Sequence, residues 1–191
     1  MQPQIILASA SPRRSELLKQ IGISHRIMAV DINETPLANE SPLAYVERVA
    51  AEKSAACQVL LNDNLPVLSA DTSVICDGEI MGKPLDLDHA ISMLSRLSGR
   101  SHQVYSAVSL RGDAHWQALS ISEVKFKSLS TDEIIAYWQT GEPCDKAGAY
   151  AIQGLASTFI ESITGSFSGV MGLPLYETAQ LLAKQGIKVI T

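Results

Sequence analysis

Two long alternating runs near the middle of the chain, "HQVYSAVSLRG" (102–112) and "HWQALSISEVKFKSLS" (115–130), constrain the fold more than any other feature. They meet around Gly112-Asp113, so the pattern predicts a long antiparallel hairpin. The rest of the chain interleaves strand-like and helix-like stretches. At the front, the apolar Ile5-Ile6-Leu7 ends in a Ser-rich loop. Ser11-Pro12 then reads as N-cap and first helical residue of a helix with Leu17, Leu18 and Ile21 on one stripe and Gly22 as its stop.

A second Ser-Pro pair, Ser41-Pro42, opens a helix predicted to run to about Leu61. "LPVLSADTSVICDGEIMGKP" predicts a strand over 67–70, another over 74–76, and a third short segment beyond the Asp77-Gly78 turn. "DLDHAISMLSRLSG" predicts a helix with Ile91, Leu94 and Leu97 inward. Ser130-x-x-Glu133 is a capping box for a helix ending near Gly141. Short strands and a Gly-rich loop then lead to a helix in "LPLYETAQLLAKQG" and a last strand, "IKVI". Parallel-type and hairpin connections occur together, so the fold class is α/β with a mixed sheet. The whole chain, 1–191, reads as one domain, with no internal repeat and no low-complexity segment.

Composition narrows the function classes. Hydrophobic residues make up 46% of the chain and charged residues 18%, which is the balance of a globular protein. There is no signal-peptide pattern and no apolar run near membrane-spanning length, so the expectation is a soluble intracellular protein. A formal net charge of −5, and the lack of aromatics interleaved with basic residues, argue against nucleic-acid binding. Cys57, Cys76 and Cys144 lack CxxC spacing, and His25, His89, His102 and His115 are scattered singly. Neither set suggests a disulfide framework or a zinc site, and both read as structural.

The polar residues that carry chemistry stand at element ends. The start of the first helix offers unpaired N–H groups and a positive dipole end to an anion, and Arg13 and Arg14 add two fixed charges. Cations oppose the dipole there, a placement that makes sense if phosphate sits above them. The stretch is not a GxxxxGK[ST] loop, so no P-loop assignment follows. Glu34, Lys53, Lys83 and Lys146, each taken alone, read as solvated charges, and Asp71 alone as a turn-capping aspartate. Together they supply cations for a triphosphate and two carboxylates, Glu34 and Asp71, for a divalent metal. Asp71 could equally accept a proton from an attacking water.

"LASASPRRSELL", "ERVAAEKS", "VLSADTSVICDGEIMGKP", "LSGRSHQVYSAV", "DKAGAYAIQG" and "GLPLYET", in this order across nearly the whole chain, resemble the Maf family of nucleoside triphosphate pyrophosphatases. The resemblance implies a cytoplasmic homodimer with an elongated mixed sheet, flanking helices and two lobes around a central cleft, similar to inosine triphosphate pyrophosphatase. It implies cleavage of a nucleoside triphosphate to the monophosphate and pyrophosphate with Mg²⁺ or Mn²⁺. It gives phosphate-binding roles to Ser9, Arg13, Arg14, Lys53 and Lys83, a metal role to Glu34 and Asp71, and the proton-acceptor role to Asp71; Lys146 is a possible addition.

Arg13, Thr72 and Gln153 together look like the subgroup acting on dTTP and UTP, rather than the one similar to 7-methyl-GTP pyrophosphatases. A Gln amide offers both donor and acceptor to the N3–H and O4 edge of uracil and thymine, yet it can turn to suit cytosine. Discrimination therefore needs neighbours that lock the orientation. The competing reading is a non-catalytic nucleotide sensor that regulates cell division, since Maf relatives are associated with arrest of septum formation. Asp71 speaks against it, because a sensor has no use for a water-activating carboxylate.

Overall fold

The computed structural model describes residues 2–62 and 64–189. Strand β1 (Ile5–Leu7), helix α1 (Pro12–Gln20) and strand β2 (His25–Ile27) form a parallel unit in which Ile6 lies beside Arg26. Helix α2 (Pro42–Val59) follows, then β3 (Val67–Cys76), β4 (Glu79–Met81), α3 (Leu87–Leu97), β5 (Ser101–Arg111) and β6 (His115–Phe126). Helix α4 (Thr131–Gln139), strand β7 (Ile160–Thr164), helix α5 (Phe167–Met171) and helix α6 (Leu175–Lys184) complete the order. The seven strands make one mixed sheet in the order β2-β1-β3-β5-β6-β7, with β4 paired to β3 off this path.

The long hairpin expected from the sequence is β5-β6, paired from Ser101↔Lys125 to Arg111↔His115. Strand β3 is continuous, where the sequence suggested two short strands. Its middle residues Asp71, Thr72 and Ser73 break the apolar pattern, but β5 pairs with it from Val67↔Arg111 to Ile75↔Gln103 and carries the ladder through.

Alternation along β3 divides the core. On one face Leu68 and Ala70 join Leu7, Leu18, Val108, Leu110 and Leu182 in one buried cluster. Further along that face Val74 and Cys76 join Leu94, Val104, Phe126 and Tyr137 in another. The pair Thr72↔Ser106 falls between the two clusters. On the opposite face α2 packs through Val46, Val49 and Ala50 against Ala107 of β5, the residue opposite Asp71. The two lobes are thus two cores on one sheet face, separated by a polar step.

Three segments differ from the sequence expectation. Residues 142–149 and 155–159 form 3₁₀ turns, Glu142–Asp145, Ala147–Ala149 and Leu155–Phe159, rather than short strands. The Glu142 carboxylate accepts the N–H groups of Leu155 and Ala156 and the Tyr137 hydroxyl, giving this backbone local partners in place of a ladder. After α6 the Ile187 N–H bonds back to Leu182 O at 3.0 Å, and Ile187 and Val189 cover the first core instead of pairing as a strand. Ile190, the end of "IKVI", lies outside the described residues. Strand β2 and helix α5 had no sequence signal: β2 is three residues of mixed polarity, and α5 is five residues long.

Candidate active site

Strand β1 and strand β4 flank the same edge of β3. The β1 pairing reaches Leu68 and the β4 pairing begins at Val74, so the β3 edge between them has no strand neighbour. A cleft of about 450 Å³ opens at this gap. One wall is the loop and helix start after β1, and the other is Gly82-Lys83 after β4 together with residues 145–153. Gly148 lets these segments approach: its N–H bonds to Gly82 O at 3.0 Å, and a Cβ there would lie 2.9 Å from the Val74 side chain. Ser9, Arg13, Arg14, Glu34, Lys53 and Asp71 all line this cleft, as do Thr72, Lys83, Lys146 and Gln153.

The arginines are aimed by neutral groups. Arg14 donates from Nε to Gly172 O at 2.8 Å and from Nη1 to Ser9 Oγ at 3.1 Å. Arg13 Nε lies 3.4 Å from Met171 O. Both acceptor carbonyls come from the end of α5, where Gly172 adopts φ 128°, a conformation that favours glycine. Among the described residues neither arginine makes an ion pair. Burial lowers the Arg14 pKa and the nearby Asp71 opposes that fall; a guanidinium remains charged throughout. The first turn of α1 also lacks a side-chain cap, so its N–H groups stay available to an anion.

The carboxylates meet at one lysine. Lys53 Nζ lies 3.0 Å from Asp71 Oδ1 and 3.0 Å from Glu34 Oε1. Asp71 is 6% exposed, whereas the Glu34 side chain is half-exposed. Two carboxylates that converge on one cation, in a cleft lined by arginines, suit a divalent ion whose shell is completed by phosphate oxygens and water. Among the described residues no group of three or more His, Cys, Asp or Glu side chains converges, so such an ion would depend on substrate for its remaining ligands.

The remaining residues take the facing positions. Thr72 Oγ1 lies 2.8 Å from Ser106 Oγ, and Gln153 and Lys83 are exposed on the far wall. Lys146 pairs with Asp145, which lies below its ordinary pKa chiefly through that hydrogen bond.

The sequence matches the Maf-like protein family over residues 4–185. This chain belongs to that family. It is 55% identical over 185 residues to a dTTP/UTP pyrophosphatase of Methylococcus capsulatus, covering 96% of this chain and 92% of the relative. It is 52% identical over 198 residues to a dTTP/UTP pyrophosphatase of Nitrosomonas europaea, covering 97% and 96%. It is 49% identical over 195 residues to a nucleoside triphosphate pyrophosphatase of Haemophilus ducreyi, covering 100% and 99%. Among solved structures, the Staphylococcus aureus Ham1 protein aligns over 64% of this chain and 71% of its own, with TM-score 0.46 and 18% identity.

Several cleft residues of this Maf-like chain gave no sequence signal. Tyr45 of α2 lines the cleft, and burial with the nearby Asp71 and Glu34 charges pushes its phenol up to about 12, so it stays neutral. The α5 carbonyls that hold the arginines are backbone atoms, which no side-chain motif reveals. The four histidines are structural. His25 bonds Ser15, His115 bonds Ser109, and His89 accepts the Leu85 N–H. His102 is buried against Phe126 and Tyr150, and desolvation brings its pKa down to about 4. Cys57 and Cys76 are buried and Cys144 is exposed, all as free thiols. No described helix is long and apolar enough to cross a membrane.

Proposed function

We propose that this Maf-like chain hydrolyses dTTP and UTP to the nucleoside monophosphate and pyrophosphate. The observation that carries the reading is the opposition, across one cleft, of two arginines without carboxylate partners and a buried Asp71 held at 3.0 Å by Lys53. A triphosphate supplies the negative charge that the arginines lack. A water at its α-phosphorus supplies the proton that Asp71 can take. The names of the relatives agree with that chemistry and give the choice of base.

In this mechanism Ser9, Arg13, Arg14 and the open first turn of α1 bind the phosphate chain, with Lys53 and Lys83 contributing from the other side. The guanidinium forks are already aimed by the α5 carbonyls, so little side-chain freedom is lost on binding. Asp71 accepts the proton of the attacking water, the bond from the α-phosphorus to the bridging oxygen breaks, and pyrophosphate leaves. Glu34 and Asp71 are the residues that would hold Mg²⁺ or Mn²⁺, which supplies neutralisation of phosphate charge when bound. Thr72 and Gln153 face the base. A homodimer belongs to the same reading, and sedimentation of the purified chain tests it.

Pyrophosphate release from dTTP, UTP, CTP, GTP, ATP and 7-methyl-GTP, with Mg²⁺ or Mn²⁺, tests the reaction. Release confined to dTTP and UTP is expected, with a loss of about a hundredfold or more in Asp71→Asn. Release from no nucleotide would remove the hydrolase reading and leave the nucleotide sensor. Full activity in folded Asp71→Asn would remove Asp71 from its role.

A further inference from the structure

The base-reading residue suggested by the sequence carries no lock: among the described residues no hydrogen bond fixes the Gln153 amide. Left free, it can turn to satisfy uracil or cytosine alike. The lock lies on the other wall of the cleft, in the polar step between the two cores. Ser106 is 1% exposed, and its Oγ lies 2.6 Å from Gly169 O. A carbonyl can only accept, so the single Ser106 proton is committed there. The contact of 2.8 Å between Thr72 Oγ1 and Ser106 Oγ then has one polarity, with Thr72 donating. The only other acceptor at the Thr72 hydroxyl is Gly172 O at 3.4 Å, again on the protein side. With its proton drawn inward on either route, Thr72 presents lone pairs to the cleft.

We propose that Ser106 and the Gly169 carbonyl fix the Thr72 hydroxyl as an acceptor, which favours bases carrying N3–H over cytosine. Uracil and thymine offer a hydrogen at N3; cytosine offers a lone pair, which would face the lone pairs of Thr72. Ser106 never touches substrate and acts by setting proton direction, as a positioning residue. Its acceptor is itself held in place: Ser166 caps α5 by accepting the Gly169 N–H at 3.0 Å. Adenine, with a bare N1, is disfavoured by the same polarity. Guanine shares the donor of uracil, so rejection of GTP falls to the size of the cleft. The inference rests on the proposed triphosphate substrate but not on its hydrolysis.

The test is the UTP:CTP ratio, read two ways. One is kcat/KM for pyrophosphate release. The other is calorimetric binding of the α,β-methylene analogues of UTP and CTP, which does not need turnover. In Ser106→Ala the Thr72 hydroxyl is free to turn, and both ratios are expected to fall about tenfold, mainly by a gain for the cytosine nucleotide. Ser106→Thr keeps the hydroxyl and is expected to keep the ratios. Thr72→Val, which removes the acceptor altogether, is expected to lose selection even if Ser106→Ala does not fold. Unchanged ratios in folded Ser106→Ala or in Thr72→Val would overturn the proposal, as would equal handling of UTP and CTP by the parent protein. Failure of the parent to release pyrophosphate would sink the hydrolase reading alone, because the binding ratio still judges the Thr72–Ser106 pair.

Discussion

The chain opens two helices with the same dipeptide, Ser11-Pro12 and Ser41-Pro42, and the two starts are built for opposite ends. At the second, Ser41 accepts the Ala44 N–H at 3.2 Å, and the nearby cation is satisfied internally. Arg48 grips Glu40 with two bonds of 2.6 and 2.8 Å and reaches Glu52 at 3.0 Å. At the first, Ser11 makes no capping bond, and Arg13 and Arg14 are held only by carbonyls and the Ser9 hydroxyl. A helix start whose donors and cations are all matched from within is structural. One whose geometry is fixed by neutral groups, with its charge left over, is shaped for an anion from outside.

That contrast breaks most sharply at Arg14. Charge-assisted hydrogen bonds contribute about 1.5–3 kcal/mol each, and every 1.4 kcal/mol is tenfold in rate. Arg14→Ala is therefore expected to lower kcat/KM by about a hundredfold. Arg14→Lys, which keeps the charge but not the fork, should lose roughly tenfold. An Arg14→Ala enzyme with near-parental kcat/KM would show that phosphate is gripped elsewhere. Next in size is Ser11→Asp, which turns the open start toward the closed kind. A carboxylate at the N-cap favours the helix by about 0.5 kcal/mol through the dipole, while it places a negative charge where the triphosphate must sit. The expected outcome is a slightly higher Tm with an approximately tenfold rise in KM. A lower KM would contradict the anion site.

The sequence made these two starts look alike because a cap signal records residue type and not whether the hydroxyl is used. The helices, the β5-β6 hairpin and the capping box at Ser130 were legible, since each follows from periodicity or a local hydrogen-bond pattern. The polar residues of the cleft could be named one by one, but their convergence could not. It depends on β1 and β4 sharing one edge of β3 and leaving a gap, which is a property of pairing. The α5 carbonyls and the Ser106 relay were illegible for a different reason: a buried serine in an alternating strand reads as one more small residue. Strand β3 was divided in the sequence reading because Asp71, Thr72 and Ser73 interrupt its apolar run, and that interruption is where the cleft enters.

The closed start supplies the third comparison. Ser41→Ala removes a cap that is far from any phosphate, and caps contribute about 1 kcal/mol. For a chain of this size that corresponds to a fall in Tm of roughly 2–4 °C. The expected kcat/KM is unchanged. A drop in activity without a drop in Tm would mean that the second start also serves substrate.

The smallest effect is in pH. The hydrogen bonds from Arg48, with a further one from the Leu37 N–H, hold the Glu40 carboxyl well below its ordinary range, at about 2. A folded-state value below the unfolded one means that the pair stabilises the protein fully above the ordinary carboxylate range near pH 4.5, and that this contribution is lost as pH falls toward 2. Glu133 is held at about 2 by Lys127 and the Ser130 cap, so the whole-protein acid transition mixes at least two groups. Subtracting Glu40→Gln isolates the one at the closed helix start. The Tm gap between parent and variant should be largest near pH 6 and should shrink steadily below pH 4.5, because acid protonates the parent carboxyl and makes it resemble the amide. Both side chains lie near the surface, where solvent screens the pair, so high salt should also narrow the gap at pH 6. A gap that stayed constant from pH 6 to pH 3 would mean that Glu40 acts through packing rather than charge. The closed start would then owe its order to the Ser41 cap alone.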